Sequence, residues 1–270
     1  MCYNQSMLRF FFKKNFYDGW DSVMYLLVPN AVIDAAVLAG AALMFAGRDH
    51  LAVWLCTAPA VTIASAIFPL SWAECAAEIA GGGIPELKQF FLRLKGCVRD
   101  GVLYGLLLFA AAAAAGIGIF YYSRNTTVAG MMALCMFCWI ALAVFMALFW
   151  YPALRALMRN PFGKSVRKCF ILFFDNLGVN IVLGLYNLFL SAISVVMLGI
   201  APGAAGIVLA RANALRLLLR KYDYLEELDA EGVPAGDRRR RKIPWKELLA
   251  EDIEMTGTRT FKQFFMPWKD

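Results

Sequence analysis

The chain alternates six long apolar stretches with short segments that carry most of its charge. A helix rises ~1.5 Å per residue, so about 20 apolar residues are needed to cross the ~30 Å hydrocarbon core of a bilayer. Most of the stretches reach that length. The pattern therefore predicts six transmembrane helices, over residues 21–46, 51–78, 101–122, 128–153, 177–199 and 203–222.

The basic residues fall almost entirely on alternate connections between these stretches. Of the 27 Lys and Arg residues, all but Arg48 and Arg124 lie before the first stretch, between the second and third, between the fourth and fifth, or from the last stretch onward. Translocation of Lys and Arg is disfavoured, so connections rich in them stay in the cytoplasm. The distribution predicts a multi-pass protein whose N- and C-termini are both cytoplasmic, with His50 and Arg124 in external turns.

The predicted helices group into three hairpins. Each hairpin begins with a basic and aromatic approach that ends in an acidic residue, which is Asp18, Asp100 or Asp175. The first two hairpins close on an aromatic-proline step, at 68–69 and 151–152. This similarity fits either an internal duplication or the common topological needs of helical hairpins.

Two segments between the hairpins mix cations with aromatic and aliphatic side chains. Residues 84–97 are IPELKQFFLRLKGC, and residues 162–174 are FGKSVRKCFILFF. Such a composition suits a helix that lies in the inner headgroup layer. The alternative is that each segment extends the following transmembrane helix into the cytoplasm. We favour the first option, so the predicted fold is an all-α polytopic membrane protein of six transmembrane helices, arranged as three hairpins with interfacial amphipathic helices.

The composition changes after the sixth stretch. We therefore divide the chain into a transmembrane domain (1–222) and a cytoplasmic tail (223–270) that holds a basic cluster and amphipathic segments. Arginines attract anionic lipid at the cytoplasmic face, and tryptophan is enriched at the membrane interface. A partner-protein site is the alternative role of the arginines. The predicted lipid or partner contacts are Arg238, Arg239, Arg240, Arg241, Trp245 and Trp268.

The overall composition excludes several classes of function. A hydrophobic fraction of 61% and a mean hydropathy of +0.59 are too high for a soluble domain of this size. The net charge of +7 lies mostly on one face, so it reports membrane orientation and not nucleic-acid binding. The seven cysteines form no metal-ligand or disulfide framework, and the C-x-x-C at 135–138 lies inside an apolar helix without a further ligand nearby. The sequence contains no catalytic or nucleotide-binding motif. We therefore predict no enzymatic activity, no metal and no cofactor.

Two carboxylates lie near the end of the second stretch. Glu74 and Glu78 are four residues apart, so they share one face of a helix. No histidine or other acid-base partner is nearby in the sequence. We expect both groups to be solvated at the interface, facing the basic segment 88–99.

Polar side chains inside the predicted spans are the best candidates for a functional site, because each is costly in hydrocarbon unless it is paired or hydrated. Asp34 lies about 20 Å along the first predicted helix, and Arg211 lies about 12 Å along the sixth. These helices run in opposite directions, so we expect the two charges at similar depth. The cluster either joins helices through an ion pair and amide hydrogen bonds or binds an ion or solute. Its predicted members are Asn30, Asp34, Asn180, Asn187, Arg211 and Asn213.

Two blocks of the sequence resemble a known family. Residues 68–108 combine an aromatic-proline step, a glycine-containing amphipathic stretch, a basic segment with paired phenylalanines and a further apolar helix. Residues 149–185 combine a proline-containing helix end with a basic helix that enters the fifth span. Both blocks are similar to the YesL-like family of bacterial integral membrane proteins, a domain of unknown function. The resemblance covers roughly residues 10–222, and the long tail departs from the family pattern.

The resemblance implies a location in the bacterial cytoplasmic membrane and no established activity. Genes of that family often accompany carbohydrate-uptake transporters and sensors. We therefore expect a non-enzymatic accessory or scaffold protein linked to carbohydrate uptake or signalling, with the lipid bilayer and a transporter or sensor membrane protein as partners. The alternative is a small-solute or ion transporter or channel that uses the intramembrane polar cluster.

Overall fold

The structure is a computed structural model that describes residues 5–234, 241 and 243–257. Within these residues the regular structure is helical, with no strand. The helices are α1 (Gln5–Asp21), α2 (Val23–Ala46), α3 (Leu51–Ala80), α4 (Leu87–Ser123), α5 (Val128–Leu148), α6 (Tyr151–Met158), α7 (Phe162–Asp175), α8 (Leu177–Val196), α9 (Gly203–Ala230), α10 (Trp245–Leu248) and α11 (Ala250–Thr256).

Five of the predicted apolar stretches form helices that are long and apolar enough to cross a membrane. Their outward-facing positions carry apolar side chains, among them Leu38, Ile117, Trp139 and Leu188. Exposed apolar side chains on helices of this length indicate a membrane-embedded protein. The five ranges are Val23–Ala46, Ala52–Ala80, Leu87–Ser123, Val128–Met158 and Leu177–Val196.

The sixth predicted span forms α9, which is not among the helices apolar enough to cross a membrane by composition. Its first 18 residues contain Arg211, Arg216 and Arg220. The helix lies at the centre of the molecule, where α1, α2, α3, α6 and α8 pack around it. Because its side chains face protein, arginine and asparagine are tolerated at positions that a lipid-facing helix would fill with apolar residues.

The two segments predicted as interfacial helices differ from each other. Residues 87–97 continue without a break into α4, a single helix of 37 residues. The prediction of a separate helix is therefore wrong for 84–97, and the alternative of an extended membrane helix is correct. The segment 162–174 does form a helix of its own, α7. Its end is set by Asn176, whose φ of −126° and ψ of 44° interrupt the helix before α8.

Residues before the first predicted span also form a helix. In α1 the side chains of Met7, Phe11 and Lys14 are almost fully buried. The apolar ones join the main core cluster, in which Leu154, Leu215 and Leu218 also lie. The approach to the membrane is thus a packed element of the bundle.

The third hairpin, α8–α9, is shorter than the first, α2–α3. Its turn contacts Asn30, which lies in the first third of α2. From Asn30 to Ala46, α2 continues for a further 16 residues, which is about 24 Å of helix. The turn of the third hairpin therefore lies well short of the turn between α2 and α3.

The segment 243–257 packs against the bundle. Trp245 and Leu249 belong to the main core cluster together with Met7 and Phe10 of α1. Lys13 in α1 donates a hydrogen bond of 2.9 Å to the carbonyl of Gly257. The first and last described segments therefore lie at the same end of the molecule. The predicted boundary between residues 222 and 223 falls inside α9, which runs on to Ala230.

Candidate functional site

The predicted polar cluster is divided into separate groups, each with its own surroundings. The first group surrounds Asn30, whose side chain is fully buried. Its amide nitrogen donates to the carbonyls of Ile200 at 3.0 Å and Pro202 at 2.9 Å. Its amide oxygen accepts from the backbone N–H of Ala205 at 2.7 Å. One side chain of α2 thus satisfies backbone groups of the turn before α9 and of the first turn of α9.

Asp34 and Arg211 do not meet. Asp34 is one turn beyond Asn30 and lies against Gly199 in the α8–α9 turn. Arg211 lies eight residues into α9, where its guanidinium carbon is 5.0 Å from the centre of the Phe149 ring and 5.6 Å from that of Trp150. The expectation of an ion pair between them is corrected, because the shortness of the third hairpin displaces α9 relative to α2.

Asn180 joins α8 to the α5–α6 junction and to α7. Its amide oxygen accepts from the indole N–H of Trp150 at 2.6 Å. Its amide nitrogen donates to the carbonyls of Phe173 at 3.2 Å and Asn176 at 3.0 Å. These acceptors are carbonyls at the end of α7, so Asn180 caps that helix across the break at Asn176.

A third group lies between α1, α8 and α9. The amide of Asn213 donates to the side-chain oxygen of Asn15 at 3.1 Å. The amide of Asn15 donates in turn to the hydroxyl of Tyr186 at 2.9 Å. Asn187 directly follows Tyr186 in the chain. Its side-chain amide nitrogen and oxygen have no hydrogen-bond partner among the described residues, and the amide oxygen of Asn213 has none either. Asn187 and Asn213 are thus predicted cluster members with buried amide atoms that are left without hydrogen-bond partners among the described residues.

The same group contains a buried ion pair that the sequence analysis missed. Lys14 and Asp18 lie one turn apart on α1, with 2.9 Å between the ammonium nitrogen and a carboxylate oxygen. The side chain of Lys14 is only 1% exposed. Burial raises the pKa of Asp18 above its usual value, and the Lys14 ammonium only partly offsets that effect.

The sequence contains a pattern that could have predicted this ion pair. Lys13 and Lys14 were taken only as orientation charges before the first membrane helix, and Asn15 was not considered. The (i, i+4) spacing of Lys14 and Asp18 is the usual spacing of a helical ion pair. A prediction of a helix over residues 5–21, with Met7 and Phe11 packed on the bundle, would also have placed the side chains of Lys14 and Asp18 beside the bundle.

The cytoplasmic ends predicted for the second and third stretches are joined by an ionic network. Arg93 donates to Glu78 at 2.8 Å, and Arg155 of α6 donates to Asp100 at 2.6 Å. Arg155 also donates to Glu74, which therefore lies between the two arginines. The expectation that Glu74 and Glu78 face the basic segment is confirmed. Both carboxylates are partly buried in ion pairs, which joins α3, α4 and α6.

An open groove of about 580 Å³ lies along α7. Its lining combines a cation and an anion with apolar side chains, namely Arg167, Phe170, Ile171, Phe174 and Asp175. Ile171 and Phe174 are more than half exposed. Their spacing along α7 places them on one stripe of the helix.

The predicted tail contacts have different outcomes. Trp245 is only 4% exposed and packs in the main core cluster, so the expectation that it contacts lipid is corrected. Its position between α1 and α9 removes the indole from the molecular surface. Arg241 is exposed. Arg238, Arg239, Arg240 and Trp268 lie outside the described residues.

No protein-family model, no curated protein and no solved structure matches this chain. Among the described residues, no group of three or more His, Cys, Asp or Glu side chains is arranged to hold a metal ion.

Proposed function

We propose that the protein is a non-enzymatic scaffold of the bacterial cytoplasmic membrane. Its partner would be a transporter or sensor membrane protein that serves carbohydrate uptake or signalling. The observation that carries the proposal is the exposed groove on α7, which combines apolar side chains with Arg167 and Asp175. Polar groups inside the bundle support it as well, because Asn30 and Asn180 are occupied in joining helices.

In the proposed orientation both termini are cytoplasmic and α9 completes the sixth crossing. Support comes from the contact between α1 and the segment 243–257, which places both ends of the described chain on one side. Two ends on the same side require an even number of crossings. The five apolar helical ranges supply an odd number, and α9 supplies the remaining crossing from within the bundle.

The groove on α7 suits a partner that is itself embedded in the membrane. Phe174 and Ile171 continue the exposed apolar surface of α8, which includes Ile181 and Leu185. The exposed Lys164 and Arg167 precede them on α7, where basic side chains favour the cytoplasmic headgroup layer. A partner helix with apolar residues at the membrane edge and acidic residues just outside it would match both parts.

Photo-crosslinking in cells tests the proposal. A photoreactive phenylalanine analogue replaces Phe174 in one variant and Leu38 of α2 in a control; the two positions are 64% and 69% exposed. We expect irradiation to give one defined protein adduct from position 174 and no protein adduct from position 38. The adduct is identified by mass spectrometry as a membrane transporter or sensor.

A second substitution checks that the adduct depends on the charges of the groove. Arg167→Glu should abolish the adduct from position 174, whereas Arg124→Glu at a distant turn should leave it unchanged. The scaffold proposal fails if position 174 gives only lipid adducts, or if positions 174 and 38 give the same proteins.

A small-solute or ion transporter is the second candidate, and the buried amide of Asn187 favours it. Both amide atoms of this residue lack partners among the described residues, as would be expected of a group that contacts a passing solute or water. Flux of ions and of neutral sugars into proteoliposomes that contain the purified protein tests this candidate. Flux that is lost on Asn187→Leu, with unchanged protein stability, would favour transport over scaffolding.

A further inference from the structure

Arg211 is a buried cation without an anionic partner. Its side chain is only 7% exposed, and the residue lies in the first third of α9. It forms no ion pair and donates no hydrogen bond to any residue that the structure describes. Its described contacts are the faces of two aromatic rings, Phe149 and Trp150. A guanidinium has five N–H groups that ordinarily find acceptors.

The groups around Arg211 cannot supply the missing negative charge. The hydroxyl of Tyr104 donates to the carbonyl of Leu148 at 3.1 Å, and the indole of Trp150 donates to Asn180. The thiol of Cys169 on α7 is also near the guanidinium. Burial raises the pKa of this thiol to about 12, although Arg211 lowers it, so the thiol is neutral at physiological pH.

Aromatic faces compensate a buried cation only in part. A ring quadrupole attracts a guanidinium, but it does not replace the hydrogen bonds and counter-charge that water provides. Buried charges in proteins are accordingly paired with an opposite charge or with a bound ion. Arg211 lacks the first kind of partner among the described residues.

We propose that Arg211 binds a small monovalent inorganic anion, of which chloride is the representative. The small exposed fraction of its side chain excludes a bulky ligand such as a lipid headgroup or a sugar. The aromatic rings would form the walls of the site, and the N–H groups of Arg211 would coordinate the anion. Lys164, Arg167 and Lys168 lie on the same helix as Cys169, so anions are concentrated at that end of the molecule.

The test measures thermal stability of the purified full-length protein in detergent, in chloride and in gluconate at equal ionic strength. Gluconate is much larger than chloride, so we use it as the anion that is expected not to bind. A ligand that binds only the folded state raises Tm, and here we expect a rise of about 5 °C between 1 mM and 500 mM chloride. The Arg211→Met variant should lose this rise, and the control Arg124→Met, at an exposed residue in the turn between α4 and α5, should retain it.

The same data separate an anion site from a purely structural arginine. In gluconate, Arg211→Met should be at least as stable as the wild type, because it removes an uncompensated buried charge. An arginine that served only to pack against the rings would instead lose stability equally in both salts. A chloride-independent wild type, or a chloride response that persists in Arg211→Met, would also overturn the proposal.

Crystals of the wild-type protein soaked in bromide provide a measurement that does not depend on the folding of any variant. We expect an anomalous peak within about 3.5 Å of the guanidinium nitrogens of Arg211. Bromide found solely at exposed lysines and arginines would refute the assignment.

Discussion

Asn30 illustrates how a single side chain can supply the hydrogen bonds that a backbone turn lacks. Its fully buried amide bonds to two carbonyls and one N–H of residues 200–205. The sequence analysis identified Asn30 as a buried polar residue but could not assign its partners. Those partners lie about 170 residues further along the chain. Their position beside Asn30 depends on where along α2 the turn of the third hairpin lies.

Replacing Asn30 by leucine should destabilise the folded protein by about 2–4 kcal/mol, because the Ile200 carbonyl and the Ala205 N–H would be buried without partners. Chemical unfolding of the purified protein in detergent measures this change. Asn160→Leu is the matched control, since the side chain of Asn160 makes no described hydrogen bond, and its effect should be within about 0.5 kcal/mol. Equal effects of the two substitutions would remove the capping role of Asn30.

Asp18 should make the stability of the protein depend on pH. Its folded-state pKa is raised above 3.8, so the folded state holds this proton more tightly than the unfolded state. Its contribution is therefore fully present below pH 3.8 and is lost as pH rises through the raised pKa. Asp18→Asn should flatten that decline by at most about 1.4 kcal/mol per pH unit.

The measurement is thermal unfolding in detergent at a series of pH values from 3.5 upward. Asp49→Asn serves as the control, because the side chain of Asp49 is 81% exposed in the turn between α2 and α3, so the substitution should leave the profile unchanged. If Asp18→Asn and the wild type show the same dependence of stability on pH, then the carboxyl of Asp18 has the same pKa in the folded and unfolded states.

At the scale of helices, the apolar pattern predicts most elements and misplaces those that rest on tertiary contacts. The five apolar ranges follow directly from hydropathy, because lipid-facing helices need apolar residues along their whole length. The continuity of α4 and the separation of α7 from α8 were not predictable in the same way. Both segments mix cations with aromatics, and only Asn176 distinguishes them by breaking the helix.

The short helix α11 is held to α9 by charges, and this contact gives a prediction for the whole segment 243–257. Asp252 is fully buried, 2.8 Å from the guanidinium of Arg216 and 3.5 Å from that of Arg220. Asp252→Asn should weaken the docking of the segment by about 1–3 kcal/mol, since both arginines are partly solvated.

Amide hydrogen exchange of residues 243–257 reports this change directly. Exchange should accelerate in Asp252→Asn and stay at the wild-type rate in Glu254→Gln, which alters an exposed carboxylate of the same helix. Unchanged protection in Asp252→Asn would mean that the burial of Trp245 alone holds the segment in place.

For the whole molecule, the distribution of Lys and Arg predicts the orientation, which stays a prediction. The contact between α1 and the segment 243–257 shows only that these two segments lie at the same end of the molecule. The central position of α9 could not be predicted, because its charges resemble those of a helix that leaves the membrane. Only packing by five neighbouring helices reveals that Arg211 and Asn213 face protein.

Single cysteines test the orientation in intact cells. His50→Cys and Arg124→Cys should react with a membrane-impermeant maleimide from outside. Lys164→Cys on α7 should react only after the membrane is permeabilised. The unsubstituted protein is labelled in parallel to measure the reaction of its native cysteines. Protection at positions 50 and 124, or labelling of position 164 in intact cells, would contradict two cytoplasmic termini.

The unequal length of the hairpins has a consequence for the surrounding lipid. A bilayer that matches the full length of α2 is too thick for α8 and α9, whose turn ends about 24 Å of helix earlier. The hydrophobic mismatch is confined to one side of the molecule, so the leaflet at the α2–α3 turn has to thin beside the third hairpin. Reconstitution in lipids of graded chain length should therefore show the greatest stability in a bilayer thinner than α2 alone would select.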